Sequence, residues 1–252
     1  MFSILHCADL HLEGSFASSQ LPPAVGRGRR LGLREALGRI LALAREKQVD
    51  AVTVGGDLYE QAYAMPDTAQ FLRQHFADLA PIRVYIAPGE SDPYAEDSLY
   101  ALTHWPENVG IFSAGQLSPV ELAPGIHLWG AACPPEPGYD RLDDVRGDRP
   151  GVNLLLLHAA RTRQARPAGQ GLFCLDDLSL REAGFDLALL GHHHDGQIWQ
   201  AGGVQCIYPG SPEPLAPAEA DGDHQVVLLT IEDGEFTTER IPIDRRTGQE
   251  RL

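Results

Sequence analysis

The sequence has 252 residues, of which 43% are hydrophobic and 22% are charged, and its formal net charge at pH 7 is −15. This length suits one α/β domain, and the composition is not that of a disordered chain. The sequence also contains no apolar run of the ~18 residues that a membrane span requires. The acidic balance also opposes diffuse binding to nucleic acid, because that affinity depends on Lys and Arg neutralising phosphates.

The first two thirds of the chain alternate predicted strands with predicted helices. Short apolar runs that end at polar or Gly-containing turns predict buried strands at 2–7, 51–54, 82–86, 152–157 and 186–190. Leucine and isoleucine at helical spacing predict helices at 27–47 and 67–79. Alternating strands and helices are typical of an α/β sheet.

The last third changes character. Short strand candidates at 196–199, 204–208, 225–231 and 235–241 predict an antiparallel or mixed second sheet, with Asp233-Gly234 as a hairpin turn. Pro212, Pro214 and Pro217 indicate an irregular loop before the last two strands. We expect one domain over 1–243 and a polar tail at 244–252.

Two features predict a cytoplasmic location. The N-terminus lacks the basic region and small-residue cleavage site of a signal peptide. Four cysteines lie far apart without a CxxC pair, at Cys7, Cys133, Cys174 and Cys206, which favours reduced thiols over a disulfide framework. Arginines cluster around 27–34 and 161–166, as a basic rim or as scattered surface charge.

Polar residues suited to metal binding follow five of the predicted strands. Asp and His bind Mn, Fe and Zn ions, and the carboxyl ends of strands in an α/β sheet converge on one crevice. The five segments are Asp9-Leu10-His11, Gly56-Asp57, Gly89-Glu90-Ser91-Asp92, His158 and Gly191-His192-His193-His194. Each alone also fits a loop cap, a core histidine or a polar turn, but all these structural explanations would have to hold together.

These segments resemble the motifs of the calcineurin-like metallophosphoesterases, which run D-x-H, G-D, G-N-H-D, H and G-H-x-H in this order. Four of the five motifs are intact. Within that superfamily the chain is similar to DNA-repair exonucleases of the SbcD and YhaO type. The supporting segments are Asp9-Leu10-His11-Leu12, Gly56-Asp57-Leu58-Tyr59, Trp105-Pro106-Glu107-Asn108-Val109 and Tyr208-Pro209-Gly210-Ser211.

The resemblance implies a two-layer β-sandwich flanked by helices, a four-layer αββα fold, with two divalent metal ions. Carried over by motif, one ion would be held by Asp9, His11 and His194. The other would be held by Glu90, His158 and His192, with Asp57 bridging. We expect Mn, with Fe or Zn as alternatives. Two such ions can activate water and neutralise a phosphate, which is the chemistry of phosphoester hydrolysis.

The third motif departs from the family, because Glu90 replaces its metal-binding Asn and Ser91 its catalytic His. A carboxylate can still bind a metal, but a serine hydroxyl is too weak an acid to replace the imidazole as a proton donor. We place Asp57, Ser91 and His193 in the catalytic set, with His193, His104 and Glu60 as unranked candidate donors. Either one of these groups supplies the proton, or the site turns over poorly.

Three functions remain open from the sequence. The first is a nuclease acting on nucleic acid beside a coiled-coil, SMC-like ATPase. The second is a phosphodiesterase or phosphatase acting on nucleotides, and the third is a weakly catalytic metal-binding module of a DNA-processing complex. SbcD-type nucleases continue into a DNA-capping domain and an ATPase-binding segment, and we expect little of either within this chain.

Overall fold

In the computed structural model the described residues are 1–16, 23–133, 146–161 and 172–243. They contain thirteen strands and four helices. The strands are β1 (Phe2–Cys7), β2 (Ala51–Val54), β3 (Arg83–Ile86), β4 (Val109–Ile111), β5 (Ser118–Ala123), β6 (Ile126–Gly130), β7 (Val152–Arg161), β8 (Phe173–Leu175), β9 (Leu187–Gly191), β10 (Gln197–Ala201), β11 (Val204–Tyr208), β12 (Gln225–Glu232) and β13 (Glu235–Pro242). The helices are α1 (Pro23–Glu46), α2 (Pro66–Leu79), α3 (Leu99–Leu102) and α4 (Asp177–Ala183).

The first sheet has the strand order β13-β12-β1-β2-β3-β4. Strands β1 to β4 run parallel, and Cys7, Val54 and Ile86 are in register near their carboxyl ends. Because these ends are level, the polar segments that follow β1, β2 and β3 emerge at the same edge of the sheet.

The second sheet has the order β10-β11-β9-β7-β6-β5, and β8 pairs with β7. Its central strands β6, β7, β9 and β11 are parallel. His158 on β7 pairs with Gly191 on β9, so His158 lies beside the start of the histidine segment. The second sheet therefore brings its own two polar segments to one edge.

The two sheets pack face to face and carry helices on their outer faces. Successive residues of a strand point to opposite faces, so Ile4 belongs to the apolar cluster between the sheets while Leu5 faces α1 and α2. A third cluster packs α4 against the second sheet through Leu180 and Ala183. The predicted αββα sandwich is confirmed.

Most predicted elements are confirmed with boundary shifts of a few residues, but the assignment of the last strands to the second sheet was wrong in part. Strands β10 and β11 do join that sheet. Strands β12 and β13 join the first sheet, because β12 pairs antiparallel with β1. Strands β5, β6 and β8 were not predicted, and the tail at 244–252 lies outside the described residues.

Among the described residues, none of the helices combines the length and the apolar character that crossing a membrane requires. The longest, α1, carries several arginines.

Candidate metal centre

Backbone conformation is unusual where the two sheets meet. Asp9, His11, Asp57 and His192 all have positive φ angles, of 54°, 46°, 51° and 106°. Non-glycine residues rarely adopt this region, and such strain concentrates at functional sites. Hydrogen bonds hold the conformation: the backbone N–H of His11 donates to the carbonyl of Asp57 at 2.8 Å, and that of His192 donates to the Asp9 carboxylate at 3.0 Å.

Two separate groups of potential metal ligands lie at this edge, and a third group, Asp9, Asp57 and His158, links them. Asp9, His11 and His194 form the first group, and Glu90, His158 and His192 form the second. In each group one ligand atom per residue lies within 4.8 Å of the others.

Asp57 lies between the two groups. Its Oδ2 atom is 3.4 Å from Nε2 of His11 and 3.6 Å from Nε2 of His158. Burial would raise the pKa of Asp57, but His158, His11 and hydrogen bonds from Ser91 outweigh it and lower that pKa. An ionised carboxylate between one histidine of each group is suited to contact cations in both.

The two histidines that face Asp57 have the hydrogen bonding of metal ligands. Nδ1 of His11 contacts Oε1 of Glu60 at 2.6 Å, and Nδ1 of His158 contacts the carbonyl of Gly55 at 2.9 Å. Their Nε2 atoms are buried and have no hydrogen-bond partner in the described parts of the chain. Metal-binding histidines typically donate from one ring nitrogen and ligate through the other, so these residues fit a metal.

The electrostatics favour a cation in the same place. Burial alone would lower the pKa of His11, but Glu60, Asp57 and Asp9 together raise it to about 9. The pKa of His158 is also raised, because the charges of Asp57 and Asp9 outweigh its burial. Surplus negative charge attracts protons in this way, and a bound cation would satisfy the same charge.

A sequence profile described as calcineurin-like phosphoesterase matches residues 2–196. The chain belongs to this family. The match covers all seven predicted metal ligands, and the family uses divalent metal ions, for which the two groups are candidate sites.

Individual relatives agree with the family assignment. The chain is 26% identical to an uncharacterized metallophosphoesterase, YhaO, of Bacillus subtilis, over 94% of this chain and 59% of the relative. It therefore spans somewhat over half the length of that protein. Among solved structures it resembles a dimetal phosphatase from Danio rerio, with a TM-score of 0.61 and 13% identity over 96% of each chain. The protein TT1561 of Thermus thermophilus gives a TM-score of 0.55 at 13% identity, over 95% of this chain and 98% of that one.

Two glycines of this metallophosphoesterase allow the backbone to approach the ligands closely. A Cβ atom on Gly56, whose φ is +91°, would lie 2.6 Å from Nδ1 of His158. A Cβ atom on Gly89 would lie 2.2 Å from Oδ1 of Asp57. No side chain fits at such distances, so both motifs need glycine here.

Ser91 contacts the central carboxylate. Its hydroxyl donates to Oδ2 of Asp57 at 3.0 Å, and its backbone N–H donates to Oδ1 at 2.9 Å. The residue that replaces the family's histidine therefore orients Asp57.

Asp92, which closes the third motif, is a structural residue that the sequence analysis left without a role. Its buried carboxylate accepts hydrogen bonds from the backbone N–H groups of Asp57, Leu58 and Gly89 and from the hydroxyl of Tyr100, at 2.6 to 2.9 Å. These bonds tie the second and third motifs together. The signal was present in the G-N-H-D pattern, which ends on this residue.

The three candidate proton donors occupy different surroundings. Glu60 contacts His11, as described above. The His193 ring packs edge-on against Tyr208, with centroids 4.7 Å apart, and its pKa is lowered by burial and by His192 and His194. His104 is exposed just beyond α3.

The histidine segment also contacts a residue that the sequence analysis missed. Oε1 of Glu219 lies 3.0 Å from Nδ1 of His194. Glu219 follows the family match and ends a single 3₁₀ turn (Pro217–Glu219) in the proline-containing loop between β11 and β12. That loop has no recognisable motif, so no pattern in the sequence marked this residue.

The arginine clusters are partly used in structural contacts. Arg34 pairs with Glu13 and Asp67, and Arg29 donates to the carbonyl of Pro214. Arg161 packs over the Trp199 ring, 4.8 Å from its centroid. Arg163 and Arg166 lie outside the described residues.

Proposed function

We propose that this chain is a two-metal phosphoesterase that hydrolyses phosphodiester bonds in nucleic acid. The observation that carries the proposal is the pair of buried, unpartnered Nε2 atoms, from His11 and His158, that face one oxygen of Asp57. Two bound cations would supply an activated water and neutralise the phosphate under attack.

The ligand assignment follows the two groups of side chains. Asp9, His11 and His194 would hold the first cation, and Glu90, His158 and His192 would hold the second. Asp57 would contact both. Mixed imidazole and carboxylate ligands accept Mn, Fe and Zn, and we propose Mn.

The nucleic-acid substrate and a coiled-coil, SMC-like ATPase partner rest on the resemblance to SbcD-type exonucleases. The charge of −15 opposes the binding of a polyanion, and Arg29 and Arg34 are engaged in contacts within the chain. A partner that adds basic surface would supply the affinity that this chain lacks. Four cysteines without a disulfide suit a reducing cytoplasm, where we place the protein.

Two other functions have an observation in their favour. The acidic charge suits a nucleotide or another small phosphoester, which needs no extended basic surface. The bond between Ser91 and Asp57 favours a weakly catalytic module, because that hydroxyl is turned to the carboxylate and no imidazole occupies this position.

Metal analysis followed by a substrate panel would test the proposal. After Mn supplementation the protein should hold transition metal at more than one ion per chain, and less would count against all three functions. Hydrolysis of bis(p-nitrophenyl) phosphate, single- and double-stranded DNA and cyclic nucleotides would then choose among them. Cleavage that survives in the Asp57→Asn variant would be contamination.

A further inference from the structure

The two groups of candidate ligands are supported differently. In the first group both histidines have a carboxylate on Nδ1: Glu60 on His11 at 2.6 Å and Glu219 on His194 at 3.0 Å. In the second group Nδ1 of His158 contacts the neutral carbonyl of Gly55 at 2.9 Å, and Nδ1 of His192 lies 3.5 Å from Oε1 of Glu90, which is itself a candidate ligand of that group.

Glu219 is itself held firmly. Its Oε2 atom accepts a hydrogen bond from the backbone N–H of Leu215 at 2.7 Å, and its carbonyl contacts Nε2 of His224 at 3.0 Å. The same loop is tied to the histidine segment at a second point, where the N–H of Ser211 donates to the carbonyl of His194 at 2.9 Å. Both carboxylate oxygens are thus engaged, and one of them is directed at His194.

A carboxylate on one imidazole nitrogen fixes the ring and makes the other nitrogen a better donor to a metal. It also adds negative charge near the cation. The Glu60 and Glu219 side chains are 26% and 23% exposed, whereas Glu90 in the second group is 41% exposed and is more screened by water. The carboxylates on both histidines and their added charge therefore favour the first group. Burial of the histidines does not, since their side chains are 12% and 31% exposed in the first group and 0% and 25% exposed in the second.

We propose that Glu219 is a positioning residue for His194, and that with Glu60 it makes the Asp9–His11–His194 site the tighter of the two cation sites. The inference rests on the proposed two-metal function. It assigns a role to a residue that lies beyond the part of the chain matched by the family profile.

This inference is tested by titrating the metal-free protein with Mn²⁺. Binding is monitored by calorimetry and by the electron paramagnetic resonance signal of free Mn²⁺. The wild type should bind two ions in two steps. Glu219→Gln should weaken the tighter step by ~10- to 100-fold, the usual loss when a residue supporting a ligand is removed, and leave the weaker step unchanged. Glu90→Gln should affect only the weaker step.

Glu213→Gln is the matched control. Glu213 lies on the same loop and pairs with Arg39 of α1 at 2.5 Å, away from the histidines. The Glu213→Gln variant should leave the affinity of the tighter binding step unchanged, although it removes an ion pair that anchors the loop. If Glu219→Gln does not fold, Glu60→Gln gives the same measurement on His11.

The outcomes separate the two proposals. An unchanged tighter step in Glu219→Gln, an equal loss in Glu213→Gln, or an effect of Glu90→Gln on the tighter step would overturn this inference while leaving the two-metal function standing. A wild type that binds no Mn²⁺ would overturn the proposed function itself.

Discussion

At the scale of single residues, Asp57 is the point where the two sheets contribute one histidine each. The distances of 3.4 and 3.6 Å from its Oδ2 to the two Nε2 atoms exceed those of strong charge-assisted hydrogen bonds. The three groups face one another without hydrogen bonds, and the two Nε2 atoms are buried. Removing the charge of Asp57 while keeping its shape should therefore affect cations more than folding.

Asp57→Asn is expected to reduce the bound metal and to lower Mn-dependent phosphodiester hydrolysis by more than ~100-fold, which exceeds the loss from a supporting residue. Metal content and rate should be measured on the same preparation. Asp78→Asn is the control, since Asp78 is exposed on α2, where its carboxylate accepts a hydrogen bond from Gln74. Full metal content with full activity in Asp57→Asn would contradict the bridging role.

A second residue-scale prediction concerns the altered third motif. Glu90→Asn combined with Ser91→His restores the family's residues and should raise hydrolysis of bis(p-nitrophenyl) phosphate by ~10²- to 10⁴-fold, the usual worth of a general acid. Ser91→His alone separates the proton donor from the ligand change. If the metal-loaded double variant shows no gain, this motif is not what limits the rate.

Single residues could be predicted from the sequence where a motif follows a strand. A residue that contacts a motif histidine from a distant loop could not be predicted. Asp9, His158 and His192 could be placed because each follows an apolar run. Glu219 could not, since its position depends on how a proline-containing loop folds back on His194. The path of this loop depends on packing between distant parts of the chain, which no periodic pattern in the sequence indicates.

At the scale of elements, His6 links the two sheets. From β1 its ring contacts Oγ1 of Thr53 on β2 at 3.0 Å and the carbonyl of Leu190 on β9 at 3.1 Å. The residue is completely buried, and burial lowers its pKa from 6.5 to about 4 despite these two hydrogen bonds. The folded protein therefore keeps His6 neutral where the unfolded chain would protonate it.

The sign of the pH dependence follows from this depressed pKa. The contribution of His6 to stability is complete above pH 6.5 and is lost as the pH falls from 6.5 to about 4. At about 1.4 kcal/mol per pH unit, the free energy of unfolding should fall by roughly 3 kcal/mol. Urea unfolding across this range should show a steeper loss for the wild type than for His6→Asn, and equal slopes would contradict the assignment.

The sequence predicted the elements of the parallel core well and the sheet membership of the last strands poorly. Strands β1, β2 and β7 are mostly apolar and largely buried, as expected for strands that are covered on both faces of a sheet. Strands β12 and β13 look like a local hairpin, and nothing local indicates that β12 pairs with β1, more than 200 residues away in sequence. Long-range pairing decides such cases.

At the scale of the whole molecule, the candidate metal centre joins two sheets that also meet through the apolar cluster around Ile4 and through His6. His11 and Asp57 follow strands of the first sheet, while His158 and His192 belong to the second. Any cation held by residues from both sheets binds the folded state and not the separated sheets. Metal binding should therefore stabilise the packing of the two sheets against each other.

Saturating Mn²⁺ should consequently raise the melting temperature, and chelation should reverse the rise. Each site filled at 100 times its dissociation constant adds about 2.7 kcal/mol to the free energy of unfolding. Thermal melts with and without Mn²⁺ measure the effect, and Asp57→Asn should reduce it. A melting temperature that Mn²⁺ leaves unchanged would mean that the cations do not bridge the sheets.

The positive φ angles of Asp9, His11, Asp57 and His192 also limit which residues can replace these four during evolution. Asn and Gly tolerate that backbone, whereas β-branched and bulky residues do not. A related protein that no longer binds metal would be expected to replace these candidate ligands with Asn or Gly if it keeps the same loop conformations. Small residues that tolerate positive φ angles at these four positions would therefore identify related proteins that have lost metal binding.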